Sequence, residues 1–214
     1  MSSAALIVIA KEPVAGRVKT RLSPPCSPAE AAALATAALA DTLQAVARAP
    51  AARQVLALDG RPGAWVPEGF DVIPQCGGGL DARLAAAFAV VGGPALLVGM
   101  DTPQVSPALL GRSLAELDEP DVDAVLGECE DGGYWAIGLR ESRAEVFEGV
   151  PMSREWTARA QRARLRTLGL RHAELPALRD VDTIADARAV ARAHPELGFS
   201  SALAALTVER EAAA

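Results

Sequence analysis

AALIVIAKEPVAGRVKTRL, residues 4–22, decides how the rest of the chain is read. Ala4 to Ala10 is a short, unbroken apolar run, the pattern of a strand buried on both faces of a parallel sheet. A loop from Lys11 to Pro25 follows. Four cations, Lys11, Arg17, Lys19 and Arg21, fall within its first eleven positions, with Gly16 supplying backbone freedom. Neither G-x-x-x-x-G-K-[ST] nor G-x-G-x-x-G is present, so the loop is not one of the familiar phosphate-binding fingerprints. Cations between a buried strand and a helix can neutralise a polyphosphate and the charge that develops on it. The plainer alternative is a solvated basic turn. Charge crowded onto one rim opposes folding unless an anion compensates it, which favours the polyphosphate. Of 21 basic residues only Lys11 and Lys19 are lysine, so compact ammonium groups are concentrated in this loop.

Working outward, strands alternate with helices. Ser27-Pro28-Ala29-Glu30 reads as a helix start with a capping box, the helix running to about Ala47. Further strands are expected at Gln54–Leu58, Asp71–Pro74, Ala95–Gly99, Ala124–Gly127, Tyr134–Leu139 and Arg171–Leu175. Helices are expected from Leu80 to Val91, from the Ser106-Pro107 cap to Leu117, from Ser153 to Leu168, and from Thr183, capped by Asp186, to Ala193. The chain from Ser201 reads as a helical tail ending in a frayed Ala212-Ala213-Ala214. This order predicts one domain, residues 1–214, folded as a three-layer α/β/α sandwich with a mostly parallel sheet. Ligands of such sheets bind outside the carboxyl ends of the strands. The loops after the predicted strands therefore share one rim.

Composition narrows the function. A mean hydropathy of +0.19 and 22% charged residues exclude a disordered chain. A net charge of −6 argues against long nucleic acid as a partner. No apolar run approaches a membrane span, and Met1-Ser2-Ser3 lacks a basic n-region, so a cytoplasmic location is expected. Cys26, Cys76 and Cys129 are odd in number and widely spaced, which predicts free thiols. His172 and His194 read as surface residues, leaving a Ser-His-Asp hydrolase little to work with.

Four more segments on the rim could carry chemistry. Asp101, in Gly99-Met100-Asp101-Thr102-Pro103, follows a buried strand and is placed to hold a divalent cation; a turn-capping Asp beside Pro103 is the alternative. Asp180-Val181-Asp182-Thr183 supplies a second carboxylate, or an N-cap cluster for the next helix. If Asp101 and Asp182 share one ion, their carboxyl groups lie within roughly 6 Å. Glu128 to Tyr134 sets acids before Gly132 and Gly133, as a ligand-facing loop or an acidic hairpin. Gly77, Gly78 and Gly79 before a helix could cradle a base or phosphate, and Trp65, Trp135 and Trp156 read as packing residues.

In combination and order, these motifs resemble the DUF2064 family, also labelled a glycosyltransferase-A family. The resemblance rests on Ala10-Lys11-Glu12-Pro13-x-x-Gly16-Arg17-Val18-Lys19-Thr20-Arg21-Leu22, Gly99-x-Asp101-Thr102-Pro103, Glu130-Asp131-Gly132-Gly133-Tyr134 and Asp180-Val181-Asp182-Thr183. It spans about residues 5 to 190 and implies the GT-A, or nucleotide-diphospho-sugar transferase, fold. More distantly, the chain is similar to small-molecule nucleotidyltransferases, including molybdenum-cofactor guanylyltransferase, phospholactate guanylyltransferase and sugar-acid cytidylyltransferases. It departs from the family at Gly78-Gly79-Leu80-Asp81, where Gly-Asp-Leu-Gly is expected. Pro151-Met152-Ser153-Arg154 likewise replaces Pro-Trp-Ser-Thr.

The resemblance implies a transferase using Mg²⁺ or Mn²⁺, with Asp101 and Asp182 as metal ligands. Lys19 and Arg17 are the expected catalytic cations, with Lys11, Gly16, Arg21 and Gly77 to Gly79 around the nucleotide. Asp131, Gly132 and Gly133 are expected on the acceptor side. The basic loop favours nucleotidyl transfer from a nucleoside triphosphate to a small phosphorylated metabolite, because departing pyrophosphate carries more charge than glycosyl transfer must stabilise there. Glycosyl transfer from a nucleotide-sugar and a nucleotide-binding module without activity are the alternatives.

Overall fold

Along β1 (Ala5–Lys11), alternate side chains enter opposite cores, as the two-residue period of a strand requires. Leu6, Val8 and Ala10 point into one, Ala5 and Ile7 into the other. Both sets are buried, so the strand lies inside a sheet covered on its two faces. The computed structural model describes residues 3–212. Within them the sheet has seven strands in the order β3-β2-β1-β4-β6-β5-β7. The remaining strands are β2 (Arg53–Asp59), β3 (Phe70–Pro74), β4 (Ala95–Gly99), β5 (Ala124–Cys129), β6 (Tyr134–Leu139) and β7 (His172–Leu178). β6 alone runs against its neighbours, pairing antiparallel with β4 and β5.

Helices complete the sandwich. α1 (Pro28–Ala47) and α3 (Pro107–Asp118) cover one face with Leu39, Leu43, Leu110 and Leu114. α2 (Leu80–Val91) and α4 (Thr157–Thr167) cover the other with Leu84, Phe88, Ala158 and Leu165. Phe88 stacks on Phe147 with ring centroids 5.6 Å apart. Each such fully buried side chain contributes about 1.5–3 kcal/mol. The capping boxes at Ser27–Glu30 and Thr183–Asp186 both form, the second opening α5 (Ile184–Ala193). Among the described residues, no helix is long and apolar enough to cross a membrane.

Three expectations are corrected. α4 starts at Thr157, not Ser153. Ser153 is left-handed at φ 58°, and the Thr157 hydroxyl accepts from Arg154 N–H while donating to the Pro151 carbonyl. These bonds hold residues 151–156 as a loop. The last helix, α6 (Gly198–Ala212), starts before Ser201 and packs through Phe199 and Leu203 against α1 and α5; residues 213–214 of the end read as frayed, like residues 1–2, lie outside the described residues. His172 is not a surface residue: its side chain is 14% exposed, with Nε2 3.3 Å from Glu174.

The sheet reverses its direction of growth between β1 and β4, since β2 and β3 lie to one side of β1 and β4 to the other. A crevice opens at such a switch point, flanked by the loops after β1 and β4.

Candidate functional site

That crevice is a cavity of about 630 Å³ at the carboxyl ends of the strands. Lys11 ends β1 on its wall, and the loop then folds back on itself. Arg17 N–H bonds the Val14 carbonyl at 3.0 Å, and Gly16 takes φ +77° within that turn. Glu12 holds the loop to the β2–β3 connection, accepting from Arg61 N–H at 2.9 Å.

The four cations of the loop divide into two kinds. Lys19 sits in a left-handed conformation (φ 48°) with its side chain only 7% exposed. Its ammonium lies 2.6 Å from Asp101 Oδ1 and 3.2 Å from Asp182 Oδ1. Burial opposes its charge, but the Asp101 and Asp182 carboxylates outweigh that effect, and the net shift of its pKa is upward. Arg21 reaches Asp182 Oδ2 at 3.2 Å from a position 76% exposed. Lys11 and Arg17 also belong to the cavity lining, and neither forms an ion pair among the described residues. All four cations thus line the cavity, and among the described residues two of them are paired with the protein's own carboxylates.

The two carboxylates meet because the backbone brings their loops together. Val181 N–H bonds the Asp101 carbonyl at 2.8 Å, joining the loop after β4 to the loop after β7. The Gln104 amide bonds the Arg179 carbonyl at 2.5 Å beside it. With both Oδ1 atoms inside 3.3 Å of one nitrogen, they lie less than about 6 Å apart. Hard carboxylate oxygens around a resident cation are a donor set that suits Mg²⁺ or Mn²⁺.

Among the described residues Asp180 pairs with neither Arg17 nor Arg21. Its carboxylate groups with Asp131 and the Cys129 thiol, ligand-type atoms within 4.8 Å of one another. Burial, then the charges of Asp131 and Asp182, push the Asp180 carboxyl up to about 6. Burial and then the surrounding carboxylates also push the Cys129 thiol up, which favours its protonated form.

The expected site residues do not all reach the cavity. Lys11, Arg17, Lys19, Arg21, Gly78, Asp101 and Asp182 line it; Gly16, Gly77, Gly79, Asp131, Gly132 and Gly133 do not. Gly79 is the N-cap of α2. The nearest neighbour of a β-carbon on Gly132 would be the Glu155 carbonyl oxygen. Tyr134, the last residue of the Glu128–Tyr134 segment, lines the cavity as well, as do Gln75, Arg83, Trp135 and Ser153, which the sequence alone does not mark as cavity residues. Arg83 bonds the Gly78 carbonyl, Asp59 and Gln75, while the Gln75 amide bonds the Ala10 and Ala57 carbonyls. The glycine loop is therefore fixed by Arg83. An Arg in the first turns of a helix after a glycine run was the one available signal.

Comparison with known proteins agrees with this architecture. Residues 33–154 match the model of a family described as an uncharacterized protein conserved in bacteria, DUF2064. The basic loop and Asp182 lie outside that match. No curated protein matches the sequence. A Desulfovibrio desulfuricans G20 structure described as a nucleotide-diphospho-sugar transferase superposes with a TM-score of 0.88 at 25% identity, covering 97% of this chain and 96% of that one. CMP:2-keto-3-deoxy-manno-octonic acid synthetase, solved with CTP, shares the fold at a TM-score of 0.59 and 16% identity, covering 92% of this chain and all of that one. A Mycobacterium tuberculosis H37Rv protein solved in complex with manganese does so at 0.50 and 22%, covering 89% and 98%.

Proposed function

We propose that this chain, which belongs to the DUF2064 family, is a nucleotide-using transferase that moves a nucleotidyl group from a nucleoside triphosphate to a small phosphorylated metabolite. The observation that carries the reading is the pair of cations, Lys11 and Arg17, that line the cavity with no ion-pair partner among the described residues, beside the Asp101–Asp182 carboxylates. An acceptor phosphate oxygen attacks the α-phosphorus; the new O–P bond forms as the bridge to the β-phosphate breaks, and pyrophosphate leaves with the electron pair. Arg17 and Lys11 hold the departing oxygens, and Lys19 and Arg21 join them on the same rim. Asp101 and Asp182 are the residues that would hold Mg²⁺ or Mn²⁺, which would supply charge neutralisation at the phosphates. Manganese in a structural neighbour and CTP in another support the reading. Gly16 shapes the basic loop, and Gly77 to Gly79 support the nucleotide through the Gly78 wall. Asp131, Gly132 and Gly133 shape the acceptor side through the loop that Gly132 touches. Free thiols suit a reducing compartment, and we place the protein in the cytoplasm.

Glycosyl transfer from a nucleotide-sugar is the second reading, favoured by the Desulfovibrio neighbour's description. A panel of the four ribonucleoside triphosphates and common nucleotide-sugars, each with Mn²⁺ and a set of small phosphorylated acceptors, separates the two by product mass. Pyrophosphate with a nucleotidylated acceptor supports the first reading. A free nucleoside diphosphate with a glycosylated acceptor replaces it with the second.

A further inference from the structure

Every oxygen that Asp182 offers, and one from Asp101, already has a cation. Asp101 Oδ1 and Asp182 Oδ1 share the Lys19 ammonium, and Asp182 Oδ2 faces Arg21. A divalent ion bound to both Oδ1 atoms would stand 2.0–2.1 Å from each of them. It would then lie within about 5 Å of the Lys19 nitrogen, which is itself 2.6 Å from the first oxygen. The Lys19 side chain is 93% removed from solvent, so little water screens that repulsion. The ammonium and a doubly charged ion are rivals for the same place.

We infer that Lys19 is the resident counter-ion of the Asp101–Asp182 pair, and that a divalent cation enters only as Lys19 leaves for the polyphosphate. The inference rests on the reading that these two carboxylates hold the metal. The cavity supplies the destination. Lys11 and Arg17 line it with no carboxylate partner among the described residues, and Lys19 lines it too, so a polyphosphate seated there is an anion that a displaced Lys19 can reach. Free of nucleotide, the protein already balances its carboxylates and binds divalent ions weakly. With a polyphosphate present, the ammonium changes partners and the vacated oxygens take the metal. Lys19 on this account couples metal binding to nucleotide binding by exchanging the carboxylates for the polyphosphate. A lysine aimed at phosphate from the outset would leave metal binding untouched in the nucleotide-free protein.

The test is Mn²⁺ binding to the nucleotide-free protein, followed by electron paramagnetic resonance of free Mn²⁺ and checked by thermal shift. Lys19→Met should bind Mn²⁺ about 5- to 150-fold more tightly than the unaltered chain, the span of ordinary coupling free energies. Lys19→Gln provides the same measurement if the Met variant fails to fold. Lys19→Arg keeps the cation and should bind as the unaltered chain does. Lys11→Met removes one charge from the same rim without touching the carboxylates and should change affinity by no more than about twofold. The tightening must vanish when Asp101→Asn is added. Equal Mn²⁺ affinity with and without the Lys19 ammonium overturns the inference, as does tightening that survives Asp101→Asn. If Mn²⁺ binds no form of the protein, even with an α,β-methylene triphosphate present, the metal reading of Asp101 and Asp182 falls with it.

Discussion

Gly132 meets Glu155 backbone to backbone: a β-carbon on Gly132 would sit 1.8 Å from the Glu155 carbonyl oxygen. The Gly132 carbonyl in turn accepts from Ala158 N–H at 2.9 Å, in the first turn of α4. The β5–β6 turn and the loop that carries Ser153 into the cavity wall are therefore one unit. Sequence alone suggests a glycine pair kept small for a ligand, but at Gly132 the partner is the protein's own chain.

Replacing Gly132 by alanine should be costly for two reasons. Its φ is +87°, and the clash is with rigid backbone. We expect a loss of about 2–4 kcal/mol. Denaturant unfolding measures it. Gly133→Ala meets only the flexible Asp131 carboxylate at 3.0 Å, so it should cost much less. Equal costs for the two would show that the close approach is not what matters.

Asp41 of α1 accepts from Gly198 N–H at 3.1 Å and Phe199 N–H at 2.7 Å, capping α6 from another helix. Asp41→Ala should destabilise the chain by about 1–2 kcal/mol. Hydrogen exchange should localise the effect to the start of α6 and its contacts at Phe199 and Leu203. Unchanged protection there would refute the cap.

The fold was legible because its signals are local. Apolar runs such as Ala4–Ala10 announce buried strands, and Ser27–Glu30 and Thr183–Asp186 announce helix starts within four residues. The rim rule then placed Asp101 and Asp182, 81 positions apart, in one neighbourhood without any contact being known. What stayed hidden depends on pairing across space. The pairing of Lys19 is not local, and only the folded chain buries it between two carboxylates. The start of α4 was misplaced because Ser153 looks like a cap, whereas the Thr157 hydroxyl holds that segment out of the helix.

Two signs of pH dependence oppose each other. The Asp180 carboxyl rises from 3.8 to about 6 through burial and the nearby Asp131 and Asp182 charges. Between those values the folded chain holds a proton that the unfolded chain releases, so stability falls as pH rises through the window. Glu174, lowered first by its hydrogen bond with Arg162, and Asp123, lowered first by Arg171, act the other way. Their contribution is present above their ordinary values of 4.5 and 3.8 and is lost as pH falls. Asp180→Asn, in metal-free buffer, should therefore raise the melting temperature at pH 7 and lose that advantage below pH 4, a gain of about 1–2 kcal/mol. Parallel melting curves across that range would reject the assignment.

Arg17 and Arg21 look alike in sequence and differ in the fold, which makes them a discriminating pair. Arg21 is 76% exposed and paired with Asp182, so removing it takes away a cation and also leaves Asp182 Oδ2 without its arginine, while Oδ1 keeps Lys19. Arg17 lines the cavity with no ion-pair partner among the described residues, so its charge is free for an incoming anion. Arg17→Ala should weaken triphosphate binding by about 1.5–3 kcal/mol, the range for hydrogen bonds to charged groups. It should leave the melting temperature nearly unchanged, because among the described residues the Arg17 side chain has no ion pair or hydrogen bond to lose. The slope of affinity against salt should also flatten, since one fewer cation meets the polyphosphate. Arg21→Ala should alter Mn²⁺ binding before it alters triphosphate binding, because the carboxylate it frees is the expected metal ligand. Calorimetric titration of both variants with triphosphate and with Mn²⁺ checks the contrast. If Arg17→Ala binds triphosphate normally while folding normally, the free cations of this rim are not a polyphosphate site, and the case for nucleotidyl transfer loses its main support.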